Sequence, residues 1–280
     1  MNTIEELFQN GKYLLREYPY PALESKLLLL ASSSMTENEF LAMPKKKPSR
    51  ISQRRFYRLI FKRLHGFPLV YLTGEKEFWS INFKVAPGVL IPRPETELVV
   101  EKALEFMPQK NPLIADIGTG CGNIALSIAK ELPQAKIVAT DISSTAIQIS
   151  RTNASLQRVS NVTFIQGHMY EPLKKSEIKK KFHMILSNPP YVSLGEWKKL
   201  PQEIRDHEPK EALVAGRTGL KFIKELIQDA PEFLEPRGYL IFEIGYNQKE
   251  RVRAMFGNGW KEVHCFEDLN GIPRVYAARI

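Results

Sequence analysis

The stretch Leu113-Ile114-Ala115-Asp116-Ile117-Gly118-Thr119-Gly120-Cys121-Gly122 decides the fold. Apolar strand text runs without a break into a loop with glycine at every second position, and helical text, NIALSIAKEL, follows at once. Glycine lets a chain turn this tightly and leaves the backbone open to a ligand at the N-terminus of the following helix. Outward from there the alternation continues: helix about 122–132, strand 136–140, helix about 144–156, strands 162–166 and 182–187, helix about 218–230, strand 238–244, and two more strands near 260–266 and 274–279. Apolar strands separated by helical stretches predict an α/β doubly wound sheet over residues 92–280.

Upstream, residues 1–67 read as a small all-helical domain. Ile4, Leu7, Phe8, Leu14 and Leu15 recur at roughly helical spacing, and Thr36-x-x-Glu39 has the form of a capping box. In the last of these helices Phe56, Leu59, Ile60 and Leu64 share one face, while Arg50, Arg54, Arg58 and Lys62 step along the opposite one. Residues 68–91, with EFWSINFKV followed by the turn Ala86-Pro87-Gly88, predict a β-hairpin linker between the two domains.

Composition narrows the function classes. With 280 residues and 43% apolar content there is material for one large core and one small one. The net charge of +9 is matched by one stretch, Pro44 to His65, which holds nine lysines and arginines and no acid. A lysine-rich segment, 174–181, reads as a solvated loop. Only Cys121 and Cys265 occur, with no CxxC, and the five histidines show no ligand spacing, so no metal site is expected. No apolar run approaches the ~20 residues of a membrane span, and the polar N-terminus lacks a signal-peptide pattern. A cytoplasmic enzyme is the expectation.

The acid Asp141, at the end of strand 136–140, stands 19 residues beyond Gly122. There it can accept hydrogen bonds from ribose hydroxyls, and with the loop it implies an adenosine cofactor. The GxGxG spacing is one residue shorter than the GxGxxG that cradles a pyrophosphate, which favours S-adenosyl-L-methionine (AdoMet), a ligand without phosphate, over NAD. Met169, just past strand 162–166, is placed to cover one face of the adenine.

Strand 182–187 delivers Asn188-Pro189-Pro190-Tyr191 to the carboxyl edge of the sheet, where open α/β folds build their sites. Two prolines stiffen the loop and remove two N–H donors, leaving carbonyl oxygens free to accept. An amide or ring NH₂ is a poor nucleophile because its lone pair is delocalised. If the Asn188 oxygen and the Pro189 carbonyl each accept one N–H, the nitrogen is held with its lone-pair face towards the methyl donor. Tyr191 supplies an aromatic wall for the planar group. The residues alone admit either an amide or an adenine nitrogen as acceptor.

The chain resembles, along its full length, the bacterial release factor glutamine methyltransferases. The resemblance is carried by the helical domain, Ile91-Pro92-Arg93-Pro94-Glu95-Thr96-Glu97, DIGTGCGNIALSIA, SNPPY, His207-Glu208-Pro209 with Ala212-Leu213, Glu243-Ile244-Gly245 with Gln248, and Asp268-Leu269-Asn270-Gly271 with Arg274-Val275. It implies a Rossmann-like AdoMet-dependent methyltransferase sheet and methylation of the glutamine N5 in the Gly-Gly-Gln motif of class I peptide chain release factors, a step in translation termination. By the same resemblance Gly118, Thr119, Gly120, Cys121, Gly122, Asp141, Met169 and Asn188 surround AdoMet, and Asn188 to Tyr191 hold the glutamine. Departures fall at His168, where the family commonly has an acid, and at Met169, where it often has a large aromatic or other apolar residue. The alternatives are a glutamine methyltransferase acting on a ribosomal protein and an adenine-N6 methyltransferase acting on RNA or DNA. Direct nucleic-acid binding is compatible with the charge but is not predicted.

Overall fold

The computed structural model describes residues 1–107, 111–175 and 181–280, so most of the lysine-rich 174–181 lies outside the described residues. The chain forms two compact units, Met1–Glu75 with Pro201–His207, and Lys76–Leu200 with Glu208–Ile280.

The first unit is built from the helices Ile4–Leu14, Pro21–Ser33, Glu37–Ala42, Arg50–Leu64 and Leu69–Thr73. Capping boxes open two of them, at Thr3 with Glu6 and at Thr36 with Glu39, so the first N–H groups of each helix are satisfied by its own sequence. Their apolar faces meet in a core of Ile4, Leu7, Leu15, Leu28, Leu29, Phe56 and Ile60. Leu14 and Leu64, expected on those faces, are instead exposed, and each is the last residue of its helix.

The basic helix is not uniformly basic in space. Arg63 is buried, paired twice to Glu24 (2.6 and 3.0 Å) and once to Glu203 (2.9 Å), with the Tyr18 ring 4.3 Å below its guanidinium. Burial opposes its charge, but the hydrogen bonds it donates to both carboxylates outweigh that and hold its pKa above the ordinary arginine value. The stretch of nine cations therefore contains one that is neutralised inside the unit, and the Arg63–Glu203 bond ties the segment Pro201–His207 to it.

The expected linker divides between the units. Its helix Leu69–Thr73 belongs to the first, and the hairpin strands β1 (Glu75–Phe78) and β2 (Ile81–Lys84) lie almost wholly in the second. Asn153 exchanges hydrogen bonds with the Lys84 backbone (2.8 and 3.0 Å), and Gln157 donates to the Asn82 carbonyl (2.9 Å).

The second unit is a seven-stranded sheet. Its strands are β3 (Leu113–Ile117), β4 (Lys136–Asp141), β5 (Val162–Gln166), β6 (Phe182–Ser187), β7 (Leu234–Glu243), β8 (Glu262–Glu267) and β9 (Pro273–Arg279). The spatial order is β5-β4-β3-β6-β7-β9-β8, parallel from β5 to β7, with β9 inserted antiparallel between β7 and β8. The parallel strands β3 and β6 read as near-continuous apolar runs because helices cover both faces. The expected strand 238–244 begins earlier, at Leu234, and the helix before it extends to Phe233, with Pro231 in its last turn. The order reverses between β3 and β6, so the carboxyl ends of those two strands border the crevice where such sheets place ligands. Among the described residues no helix is long and apolar enough to cross a membrane.

Candidate active site

The loop after β3 turns through left-handed backbone at Gly118 (φ 75°) and Gly120 (φ 58°), and a side chain at either would meet nothing within 4 Å. Both glycines therefore face open space, and both supply a conformation that L side chains rarely adopt. Cys121 is buried in the same loop, and burial pushes its thiol up to about 12, so it is no nucleophile. Its carbonyl instead accepts from Asn153 Nδ2 (2.9 Å), which fastens the loop to the helix Ser144–Leu156.

Asp141 ends β4 facing that loop. Its Oδ2 accepts from the Gly120 N–H (2.8 Å) and its Oδ1 from the Ser143 N–H (2.9 Å). Ser143, not Asp141, caps the following helix, accepting from the Ala146 N–H. Burial raises the Asp141 pKa, and the surrounding N–H groups resist that shift. Met169 adopts left-handed backbone (φ 45°) after β5 and packs, half-buried, against the main core of the second unit.

Asn188 leaves β6 with its Nδ2 2.9 Å from Thr96 Oγ1. The Tyr191 phenol donates to Glu243 Oε1 (2.8 Å), and the Glu243 charge, with burial, holds the phenol pKa well above its ordinary value. Behind the loop, Gln248 Nε2 donates to the Tyr191 carbonyl (2.9 Å) while its Oε1 accepts from the Gly245 N–H (2.9 Å). Val192 and Val214 form a parallel bridge beyond it, with Val192 N–H donating to the Leu213 carbonyl (2.8 Å). Glu208 is buried under this segment and binds both the Ile91 N–H (3.2 Å) and the Arg93 guanidinium (2.5 Å). A cavity beside the loop is lined by Leu90, Arg93, Asn188, Pro189, Tyr191, Val192, Ala212 and Leu213. The separate sequence motifs around Arg93, Glu208 and Gln248 are thus the scaffold of one loop.

Sequence reasoning gave three residues here no role of their own. Asp116 sits within β3 fully buried; Thr119 Oγ1 donates to its Oδ2 (2.6 Å) while its Oδ1 has no hydrogen-bond partner. Burial pushes its carboxyl up to about 7, the Asp141 charge adds to this, and the Thr119 hydroxyl and Ala125 N–H oppose it. Thr96 and Glu243 are the others, joined by a 2.5 Å hydrogen bond. The available signal was the same for Asp116 and Glu243: an acid inside or at the carboxyl end of an otherwise apolar strand. Among the described residues no group of three or more His, Cys, Asp or Glu could hold a metal ion.

A sheet of this order, with its glycine loop facing open space and an Asn-Pro-Pro-Tyr loop at the end of the adjacent strand, defines the Rossmann-like, AdoMet-dependent class of methyltransferases. A family model described as "Methyltransferase small domain" matches residues 96–206, and one described as "PrmC N-terminal domain" matches residues 6–74. The release factor glutamine methyltransferase of Coxiella burnetii is 38% identical over 282 aligned residues, covering 100% of this chain and 99% of that one. The enzyme of the same name from Moorella thermoacetica is 41% identical over 262, covering 92% and 91%. The chain belongs to the release factor glutamine methyltransferase family. A solved methyltransferase from Pyrococcus furiosus, 18% identical with a TM-score of 0.52 and covering 81% of this chain and 97% of that one, shares the fold.

Proposed function

We propose that this chain transfers a methyl group from AdoMet to the side-chain amide nitrogen, N5, of the glutamine in the Gly-Gly-Gln motif of class I peptide chain release factors. The observation that carries the reading is the Asn188 amide, whose amino group is already used by Thr96, leaving its oxygen to accept an N–H from the glutamine. Family membership selects a glutamine amide over an adenine amino group as the acceptor.

The residues present fit AdoMet. Gly118, Thr119, Gly120, Cys121 and Gly122 form a backbone cradle with open space above Gly118 and Gly120, and the unpartnered Asp116 oxygen beneath it suits a ligand bearing positive charge. Asp141, fixed by two backbone N–H groups, keeps lone pairs for ribose hydroxyls. Met169 stands at the adenine side and Asn188 at the methyl side. AdoMet supplies an electrophilic methyl group on a sulfonium. Asn188 Oδ1 and the Pro189 carbonyl each hold one N–H of the glutamine amide, so the lone-pair face of the nitrogen is presented for attack. Pro190 stiffens the loop, and the Tyr191 ring walls the planar amide. The nitrogen–carbon bond forms as the sulfur–carbon bond breaks and the sulfur leaves as a neutral thioether; the two acceptors stabilise the positive charge that builds on NH₂ until one N–H proton passes to water.

The test is incubation of the chain with isotope-labelled AdoMet and, in parallel, release factor, ribosomal protein and RNA, with the methyl group located by mass spectrometry. Label on the Gly-Gly-Gln glutamine is expected; label in RNA alone overturns the reading. Asp141→Asn places an NH₂ against the Gly120 or Ser143 N–H, and is expected to weaken AdoMet binding by about 10- to 100-fold while kcat at saturation changes less. Calorimetry that returns an unaltered AdoMet Kd removes Asp141 from the ribose site.

The helical domain is the substrate-binding part of this reading. Arg50, Arg54 and Arg58 are exposed on the helix Arg50–Leu64, as are the apolar Ile51 and Phe61, a combination that suits an acidic protein face. Reversing Arg54, Arg58 and Lys62 to glutamate is expected to raise KM for whole release factor by about tenfold or more at low salt, with AdoMet affinity retained. A KM that stays put at low salt rejects the docking role.

A further inference from the structure

Three chain segments meet behind Asn188 through a carboxylate that no direct role in the reaction requires. Glu243, at the end of β7, is 1% exposed, and each of its oxygens takes one hydroxyl: Thr96 Oγ1 donates to Oε2 at 2.5 Å and the Tyr191 phenol donates to Oε1 at 2.8 Å. A hydroxyl has a single proton. With that proton committed to the carboxylate, Thr96 Oγ1 can only accept from its other neighbour, Asn188 at 2.9 Å. The Asn188 atom facing Thr96 must therefore be the amino nitrogen, and the carbonyl oxygen must face the other way. Which end of an asparagine amide points where is set by its hydrogen-bond network, and here the network leaves one solution.

We propose that Glu243 is a positioning residue that sets the polarity of the acceptor pocket: through the hydroxyl of Thr96, its carboxylate makes Asn188 present oxygen rather than NH₂ to the acceptor nitrogen. The inference rests on the reading that the acceptor is an NH₂ group. It adds the reason why a pocket built on an amide, which could equally show a donor, shows an acceptor. If Glu243 is protonated, Thr96 can accept from it and donate to Asn188 Oδ1. The amide then turns over and opposes an N–H to the N–H of the substrate, which no hydrogen bond can satisfy.

The charged and titratable groups around Glu243 come from every neighbouring segment. Tyr191 faces it from the catalytic loop, Arg274 from β9 and Glu95 from the turn Pro94–Thr96, while Arg93 acts on Tyr191. Arg274 is itself held by Asp268 (3.0 Å), which keeps its charge in place at the end of the sheet. Burial raises the proton affinity of Glu243 above that of an ordinary carboxyl, and its two hydroxyl donors and Arg274 restrain the rise. The sign follows: the acceptor-presenting form is complete above the Glu243 pKa and is lost as pH falls through it, at a pH higher than for a solvated glutamate.

The experiment uses the full chain with two readouts. In steady-state kinetics on release factor, Thr96→Ser keeps the hydroxyl and is expected to retain kcat within about threefold, whereas the isosteric Thr96→Val is expected to lose about tenfold or more in kcat with AdoMet Kd within about twofold. The second readout needs no substrate: the ¹⁵N-labelled Asn188 side-chain NH₂ signals, assigned with Asn188→Asp. They are expected to show a contact with the Thr96 side chain at neutral pH and to shift with the same acid titration that lowers kcat, and Glu243→Gln is expected to abolish that titration in both. Full kcat in Thr96→Val, or an Asn188 NH₂ that ignores acid in the wild type, overturns the proposal. A chain that methylates no release factor glutamine refutes the proposed function instead, and the NH₂ titration still decides the polarity.

Discussion

Asn188→Ala is expected to lower kcat for methyl transfer by about 10²- to 10³-fold, the cost typical of removing one preorganised group that stabilises developing charge. AdoMet affinity, measured by calorimetry, is expected to weaken far less. The separation follows from geometry: Asn188 leaves β6 towards Thr96 and the cavity beside its loop, while the glycine loop and Asp141 belong to the ends of β3 and β4. Alanine also strips Thr96 Oγ1 of its N–H partner, but Thr96 keeps its bond to Glu243, so the scaffold behind the loop should hold. Full turnover in this variant would remove Asn188 from the reaction. A loss of AdoMet binding equal to the loss of kcat would make it a cofactor residue alone.

The strands β3, β5 and β6 occupy the residues expected of them, because each is a short run rich in apolar or β-branched residues bounded by charged, polar, glycine or proline positions. The place of the Asn188–Tyr191 loop was legible for a similar reason: Asn-Pro-Pro-Tyr is contiguous, and strand order alone carries it to the sheet edge. The support behind it was not. Thr96 and Glu243 lie 147 residues apart and Tyr191 and Glu243 lie 52 apart, so no local pattern joins them. Arg63 is illegible in the same way, since what distinguishes it from the other cations of its helix is Glu24, 39 residues away, and Glu203, 140 away. Periodicity tells which side chains share a face but not which of them a neighbour covers, and Leu14 and Leu64 are exposed. Local text records elements and loops; the bonds that set donor and acceptor polarity are long-range.

Asp116→Asn is expected to trade function for stability, and pH separates the two. The Asp116 carboxyl, ordinarily near 3.8, is pushed up to about 7 by burial, with one oxygen unpartnered. At ~1.4 kcal/mol per pH unit that shift corresponds to on the order of 4 kcal/mol against the ionised form in the ligand-free fold. For an acid whose pKa is raised by folding, the folded chain binds more protons than the unfolded one between the two values. Stability therefore falls as pH rises from about 4 to about 7 and is level above that. Asparagine does not titrate, so the ligand-free variant should melt progressively higher than wild type as pH rises to 8 and lose that advantage near pH 4. The gain stays below the full amount because the new NH₂ has no acceptor ready, while Thr119 still donates to the amide oxygen. A positively charged ligand reverses the balance, since it restores to the ionised Asp116 what burial withholds. AdoMet should accordingly raise the melting temperature of wild type more than that of the variant at pH 8. A stability difference that does not vary with pH, together with an unchanged AdoMet Kd, would remove Asp116 from the site and leave it as a polar residue of the core. The expected outcome makes the buried acid a place where the ligand-free protein gives up stability that binding of the methyl donor returns.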